Sequence, residues 1–198
     1  MMNKIIVTTK PENISWEDLA SCQQRAHESN RAMGVEMQCS TFSAYQLREA
    51  VKDGVTLVAT NEEGMLMGML SIVYRQVNRW WHRGKAAYIC YVAVAPEYKG
   101  LGVYRSLSKA AEDEIKRNRV GLEYLNTHAR NRPARRAYEK DGYQCVRFSP
   151  RSGTDYYSVE MVKWLDGNGR SQWMCRLAFG LTKIAVKMLY KPGKKRRF

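Results

Sequence analysis

The feature that most constrains this chain is the apolar run AYICYVAVA, residues 87–95, followed at once by PEYKGLGVY. The run carries no charge and shows no alternation with polar residues, so it reads as a buried central strand. After it come Pro96, Lys99 and two glycines, Gly100 and Gly102. A segment patterned as a helix then follows (104–118), with Leu107, Ala110, Ala111 and Ile115 on one side. A strand, a glycine-bearing turn and a helix start can converge backbone N–H groups on an anion, or can simply reverse the chain. The spacing alone leaves both open. The dinucleotide fingerprint G-x-G-x-x-G is absent, as is the G-K-[ST] of a triphosphate loop.

The rest of the chain alternates between the two periodicities. KIIVTT (4–9) reads as a strand, and Ser15 caps a helix through Trp16, Leu19, Cys22 and Ala26. Thr41 is the expected cap of a second helix that stops at Gly54. Two strands of a hairpin (55–60 and 65–74) flank the turn NEEG, and VNRWWHRGKA (77–86) reads as a loop. Beyond the central unit come a strand (122–128), a helix (131–143) ended by Gly142, and two late strands (144–149 and 156–165) expected to pair. This order predicts a mixed α/β fold.

At 198 residues the chain suits one domain with a short extension. Its five cysteines are scattered without CxxC spacing, which argues against a zinc site or a disulfide framework and for a reducing compartment. The first residues form no signal peptide, so a cytoplasmic location is the default. The net charge of +14 is concentrated at the end: residues 170–198 hold nine basic side chains and no acidic one. Such asymmetry suggests a tail with a partner of its own.

A second segment sharpens the reading of the turn. It runs Asn131-x-x-Ala134-x-x-x-Tyr138-x-x-x-Gly142-Tyr143. Together with Val94-Ala95-Pro96-Glu97-Tyr98-Lys99-Gly100-Leu101-Gly102-Val103-Tyr104, it resembles the GNAT family of N-acetyltransferases over about residues 3–165. The loop pattern of that family is roughly [QR]-x-x-G-x-[GA], and its later helix commonly reads N-x-x-A-x-x-x-Y-x-x-x-G-[FY]. Lys99 stands at the Gln/Arg position and Gly102 at the required glycine, while Tyr104 replaces a small residue.

The resemblance implies the GNAT (acyl-CoA N-acyltransferase) fold, a mixed central sheet flanked by helices, over residues 1–166. It also implies acetyl-CoA as acyl donor, with no metal. Backbone N–H groups of Lys99, Gly100, Leu101, Gly102, Val103 and Tyr104 would cradle the coenzyme A pyrophosphate, while Val92, Ala93 and Val94 pair with the pantetheine arm. A backbone N–H of that strand would stabilise the tetrahedral oxyanion. Lys99 and Arg105 flank the turn as candidate phosphate ligands, with Lys109 and Arg135 behind them; each can equally belong to a solvated helix face.

Tyr138 matches a tyrosine that often protonates the departing thiolate, and a phenol is suited to that task; a ring packed on the sheet is the plainer alternative. Asn131 can cap its helix or bond the pantetheine arm. For the general base the family often uses a glutamate on the central strand, where this chain has Cys90 and Tyr91. His128 at a strand end and Glu36 between the first two helices are the candidates. Trp80 and Trp81 can line an acceptor site or serve as packing.

Residues 167–198 form a basic amphipathic C-terminal extension. Within 171–191, Trp173, Leu177, Leu181, Ile184 and Met188 share one helical face, with Arg176, Lys183 and Lys187 on the other side. Those three charges within about 20 residues argue against a membrane-crossing helix. The remaining readings are an anionic membrane surface, reached from the cytoplasmic side, docking on the catalytic domain or a second copy as a homodimer, and nucleic acid. The expected activity is direct acetyl transfer to a primary amine, with an amino sugar of an envelope glycan precursor as one acceptor. A protein or small amine is the alternative, as is a non-catalytic module of the same fold that binds coenzyme A or a partner.

Overall fold

A computed structural model describes residues 4–32, 34–35, 37–150, 157–167, 169–170 and 172–189. The chain divides into two compact units, Met1–Glu123 and Tyr124–Phe198.

The first unit is built on four strands in the order β1 (Ile6–Thr9), β2 (Gly54–Thr60), β3 (Leu66–Arg79) and β4 (His82–Val94), each antiparallel to the next. Helix α1 (Trp16–Ala26) starts at Ser15 as expected. The Ser15 hydroxyl accepts from Asp18 N–H at 3.0 Å and the Asp18 carboxylate accepts from Ser15 N–H at 2.9 Å, a reciprocal capping box. A short helix α2 (Glu28–Ala32) follows it. Helix α3 (Ala44–Ala50) is capped by Ser43, not by the expected Thr41. Ser43 has Gln46 three residues on to complete its box, whereas Thr41 lies inside a preceding 3-10 turn, Gln38–Thr41.

The stretch 77–86 is not a loop. β3 and β4 continue through it as a tight hairpin in which Arg79 pairs with His82 across Trp80 and Trp81. The alternation that marks a strand is hidden there because the hairpin arm carries polar side chains on both faces. Cation–π contacts, Arg75 over Tyr88 at 4.5 Å and Lys85 over Tyr74 at 4.7 Å, support it instead.

Successive β3 residues face opposite layers, as the two-residue period requires. Met69 joins a core with Leu19, Ala20, Leu47, Val58 and Ala93, which places α1 and α3 on that face. A Cβ added to Gly68 would meet Val103 and Leu107, so α4 (Val103–Arg117) covers the other face. β4 is thus buried from both sides, which is why its run reads as continuously apolar.

The second unit contains β5 (Leu122–His128) from Tyr124 onward, α5 (Arg132–Lys140), β6 (Gln144–Pro150), β7 (Tyr157–Trp164) and α6 (Gln172–Leu189). Its strand order is β5-β7-β6, with β6 and β7 antiparallel as expected. Mixed α/β architecture is therefore as the sequence indicated, and the C-terminal helix is present. No helix among the described residues is long and apolar enough to cross a membrane.

Candidate functional site

In the first unit the segment after β4 has the geometry of an anion cradle. Pro96–Tyr98 makes a 3-10 turn, and Gly100 and Gly102 both adopt left-handed backbone, with φ of +84° and +87°. A Cβ at either glycine would meet nothing within 4 Å, so it is backbone conformation and not crowding that calls for glycine there. Alternating left-handed residues turn successive N–H groups toward one side. The first intrahelical bond of α4 runs from Ser106 N–H to Gly102 O at 3.0 Å, so the amides before it face off the helix end, where the helix dipole adds positive charge. Val103 is buried, Tyr104 is half-buried, and Arg105 and Lys109 are exposed at the helix start.

Within the turn, Lys99 N–H and Leu101 N–H already donate to Pro96 O and Tyr98 O at 3.3 and 3.4 Å. The Lys99 ammonium donates to Ala26 O and Ser29 Oγ, and Glu97 receives the Arg25 guanidinium on both oxygens. The turn is thereby fastened at two points to the end of α1.

Immediately upstream, β4 carries a bulge that the sequence did not announce. Ser71 pairs with Cys90 and Met69 with Ala93, so Tyr91 and Val92 together oppose Leu70 alone. Tyr91 has φ of +52°, a left-handed backbone unusual for a bulky residue. The bulge takes Tyr91 and Val92 out of one-to-one pairing, and Ala93 and Val94 then pair again with Met69 and Gly68 ahead of the glycine turn. Apolar periodicity carries no trace of such a bulge, because the run is buried on both faces. Burial pushes the Tyr91 phenol up to about 12 and the Cys90 thiol up to about 12, so both stay protonated at neutral pH.

Beneath the turn lies a polar cluster at the end of α1. The His27 ring is within 3.0 Å of the Gln23 amide through Nε2 and within 2.8 Å of the Asn30 amide through Nδ1. Burial, reinforced by the charges of Lys99 and Arg31, holds His27 down at about 4. Glu36, a candidate base, lies outside the described residues. Of the tryptophans, Trp81 is buried and stacks on His82, so it serves packing, while Trp80 is exposed at the hairpin tip.

In the second unit the motif residues prove to be the framework of α5. Asn131 Oδ1 accepts from Ala134 N–H at 3.3 Å as N-cap. At the other end Gly142, with φ of +98°, sits at the reversal; Tyr143 N–H donates to Tyr138 O at 3.0 Å and Gly142 N–H to Glu139 O at 3.2 Å. Those two bonds are a Schellman motif, and the Tyr138 and Tyr143 rings, 5.8 Å apart, supply its accompanying contact. The ring of Tyr138 is half-buried. His128 is buried, and its Nδ1 accepts from Arg130 N–H at 3.0 Å. In its neutral form a ring so engaged carries its proton on Nε2. The Arg135 guanidinium lies over the Phe179 ring at 5.9 Å and beside Glu139 at 3.7 Å. Sequence reading also passed over two buried strand carboxylates, Glu123 and Glu160.

A bulged strand, a left-handed glycine turn and an open helix start suit a long thioester cofactor with a pyrophosphate. Comparison with known proteins agrees. The family model described as "Acetyltransferase (GNAT) family" matches residues 16–143. No curated protein matches the sequence. Among solved structures, an acetyltransferase of the GNAT family from Staphylococcus aureus shares 14% identity at a TM-score of 0.62, covering 82% of this chain and 100% of its own. The PaiA N-acetyltransferase from Thermoplasma acidophilum, solved with coenzyme A, shares 18% at 0.60, covering 81% and 99%. A ribosomal-protein-alanine N-acetyltransferase from Escherichia coli shares 18% at 0.59, covering 85% and 98%. At these identities the likeness is one of fold, and the family model supplies the assignment: the chain belongs to the GNAT family of acetyltransferases.

Proposed function

We propose that this acetyltransferase moves the acetyl group of acetyl-CoA directly to a primary amine. The observation that carries the reading is the bulge at Tyr91 and Val92 running straight into the Gly100–Gly102 turn at the start of α4. The amides of Gly100 and of Gly102 to Arg105 receive the pyrophosphate, and the backbone of Val92, Ala93 and Val94 receives the pantetheine arm. Lys99 acts indirectly, by holding the turn on α1, while Arg105 adds charge at its mouth.

Acetyl-CoA supplies an activated acyl carbon. The amine lone pair forms the C–N bond, the C–S bond breaks, and the thiolate takes up a proton as the amine loses one. A backbone N–H at the bulge stabilises the oxyanion, and Tyr138 gives the thiolate its proton. His128 and Glu36 are the side chains to test for removal of the amine proton, with His128 the weaker for the hydrogen bond its Nδ1 already accepts. An amino sugar of an envelope glycan precursor is the acceptor class that suits the basic tail; protein termini and small amines complete the panel.

The test is release of coenzyme A thiol across a panel of amino sugars, peptides and polyamines. Turnover with at least one amine is expected, with kcat reduced about a hundredfold in Tyr138→Phe. Full activity of Tyr138→Phe removes the acid role. Binding of acetyl-CoA without turnover on any amine replaces the enzyme reading with a binding module.

A further inference from the structure

Helix α6 carries two apolar faces, and among the described residues only one of them is packed. Cys175 is buried, Phe179 meets the Phe148 ring edge-on at 6.2 Å, and Thr182 Oγ1 accepts Phe148 N–H at 3.0 Å, so this face docks on β6. The stripe singled out by periodicity points elsewhere. Trp173, Leu177, Leu181, Ile184 and Met188 are between 53 and 76% exposed. A continuous row of large apolar side chains on an otherwise well-packed chain marks a contact surface.

Charge identifies the occupant. At about 100° per residue, Arg176, Lys183 and Lys187 form an exposed row beside the stripe, roughly a quarter-turn or a little more from its centre. The sequence from Arg170 onward has nine basic residues and no acidic one after Asp166. Long basic side chains beside an apolar stripe lay their stems along hydrocarbon and raise their charges to phosphate. A second copy packed stripe to stripe would bring two basic rows together with no carboxylate on α6 to pair with them. Nucleic acid would satisfy the charges but leave the aliphatic row uncovered.

We propose that α6 seats this protein on an anionic lipid surface, its Trp173–Met188 stripe in the acyl boundary and its Arg176, Lys183 and Lys187 row on lipid phosphates. The helix stays parallel to the surface and remains docked on β6. The inference goes beyond acetyl transfer and stands without it, since its test reads binding and not turnover.

The full-length chain is sedimented with vesicles of equal parts phosphatidylglycerol and phosphatidylcholine, and with phosphatidylcholine alone, at low and high salt. Binding to the anionic vesicles only, weakened by salt, is expected. The double variant Leu177→Asp, Leu181→Asp, whose sites are exposed and leave the β6 contact intact, should lose at least about tenfold in binding at an unchanged melting temperature. Lys183→Ala and Lys187→Ala should each lose about fivefold. Absence of binding to anionic vesicles, or equal binding by the double aspartate variant, overturns the proposal. It is likewise overturned if vesicles are ignored while the aspartates convert a dimer to a monomer, or while the wild-type chain retains RNA; either result hands α6 to that other partner.

Discussion

The ammonium of Lys99 lies 3.0 Å from the carbonyl oxygen of Ala26 and 3.1 Å from the hydroxyl of Ser29. A cation at the C-terminal end of α1 meets the negative end of the helix dipole, so the lysine just before the glycine turn is spent on positioning the turn. The Arg25–Glu97 pair repeats the tie, but it is half exposed and contributes little by itself. Both clamps bind the cradle to the segment that contains the His27 cluster.

Lys99→Met should therefore loosen the cradle without removing a reacting group. The expected result is a rise of about fivefold in KM for acetyl-CoA with kcat nearly unchanged, the scale of one charged hydrogen bond at a partly exposed site. Initial-rate kinetics against acetyl-CoA check it, and an equal fall in kcat would show that Lys99 serves the chemical step.

Gly102 and Gly68 should behave oppositely. At Gly102 an added Cβ meets nothing, so Gly102→Ala costs only left-handed strain, about 1 kcal/mol, and its main effect is on cofactor affinity through a displaced turn. At Gly68 the Cβ would lie 2.7 Å from the Ala93 carbonyl oxygen and 3.1 Å from Val103, a clash with backbone beside the bulge. Gly68→Ala should cost several kcal/mol, on the order of 3. Urea melts of both variants distinguish the two, with the large loss expected at Gly68 alone.

Cys90 and Tyr91 occupy the stretch where the family resemblance leads one to expect a glutamate; burial keeps the Cys90 thiol protonated, and its Sγ lies 3.6 Å from Ser71 O as a weak donor. It is neither base nor nucleophile at neutral pH. Cys90→Ala should retain turnover within about threefold and cost about 1 kcal/mol of stability from the small void and the lost contact. Trapping of an acetylated Cys90 on incubation with acetyl-CoA alone would contradict this.

The sequence made some of this legible for physical reasons. Positive φ at Gly100, Gly102 and Gly142 requires a residue type that can be read directly, and capping residues such as Ser15 and Asn131 act within one turn. The Tyr91 bulge was not legible, since no glycine marks it and only pairing with β3 imposes it. The 77–86 hairpin was missed because its polar faces erase the alternation. The stripe on α6 was found, but the docking face was another, Cys175 and Phe179, because helical periodicity cannot say which of two apolar faces meets β6.

The His27 cluster gives the clearest dependence on pH. A neutral imidazole has one N–H, so it cannot accept from both amides. The Gln23 and Asn30 side-chain amides face Nε2 and Nδ1, so one ring nitrogen accepts a hydrogen bond and the other carries the single ring proton. Protonation would break this arrangement inside a site facing Lys99 and Arg31, in keeping with the value of about 4. The unfolded chain takes up this proton below about pH 6.5, the native chain only near 4. Between those limits the unfolded state binds more protons, so stability falls as pH falls, by up to about 3 kcal/mol, and is independent of this group above the window. His27→Gln abolishes that component while keeping one amide contact. Urea unfolding from about pH 7 to about pH 4.5 should show the wild-type advantage over the variant shrinking steadily. Parallel curves would mean that His27 takes up its proton at the same pH in the native and the unfolded chain, and the tie between α1 and Lys99 would then have to tolerate a second cation in acid.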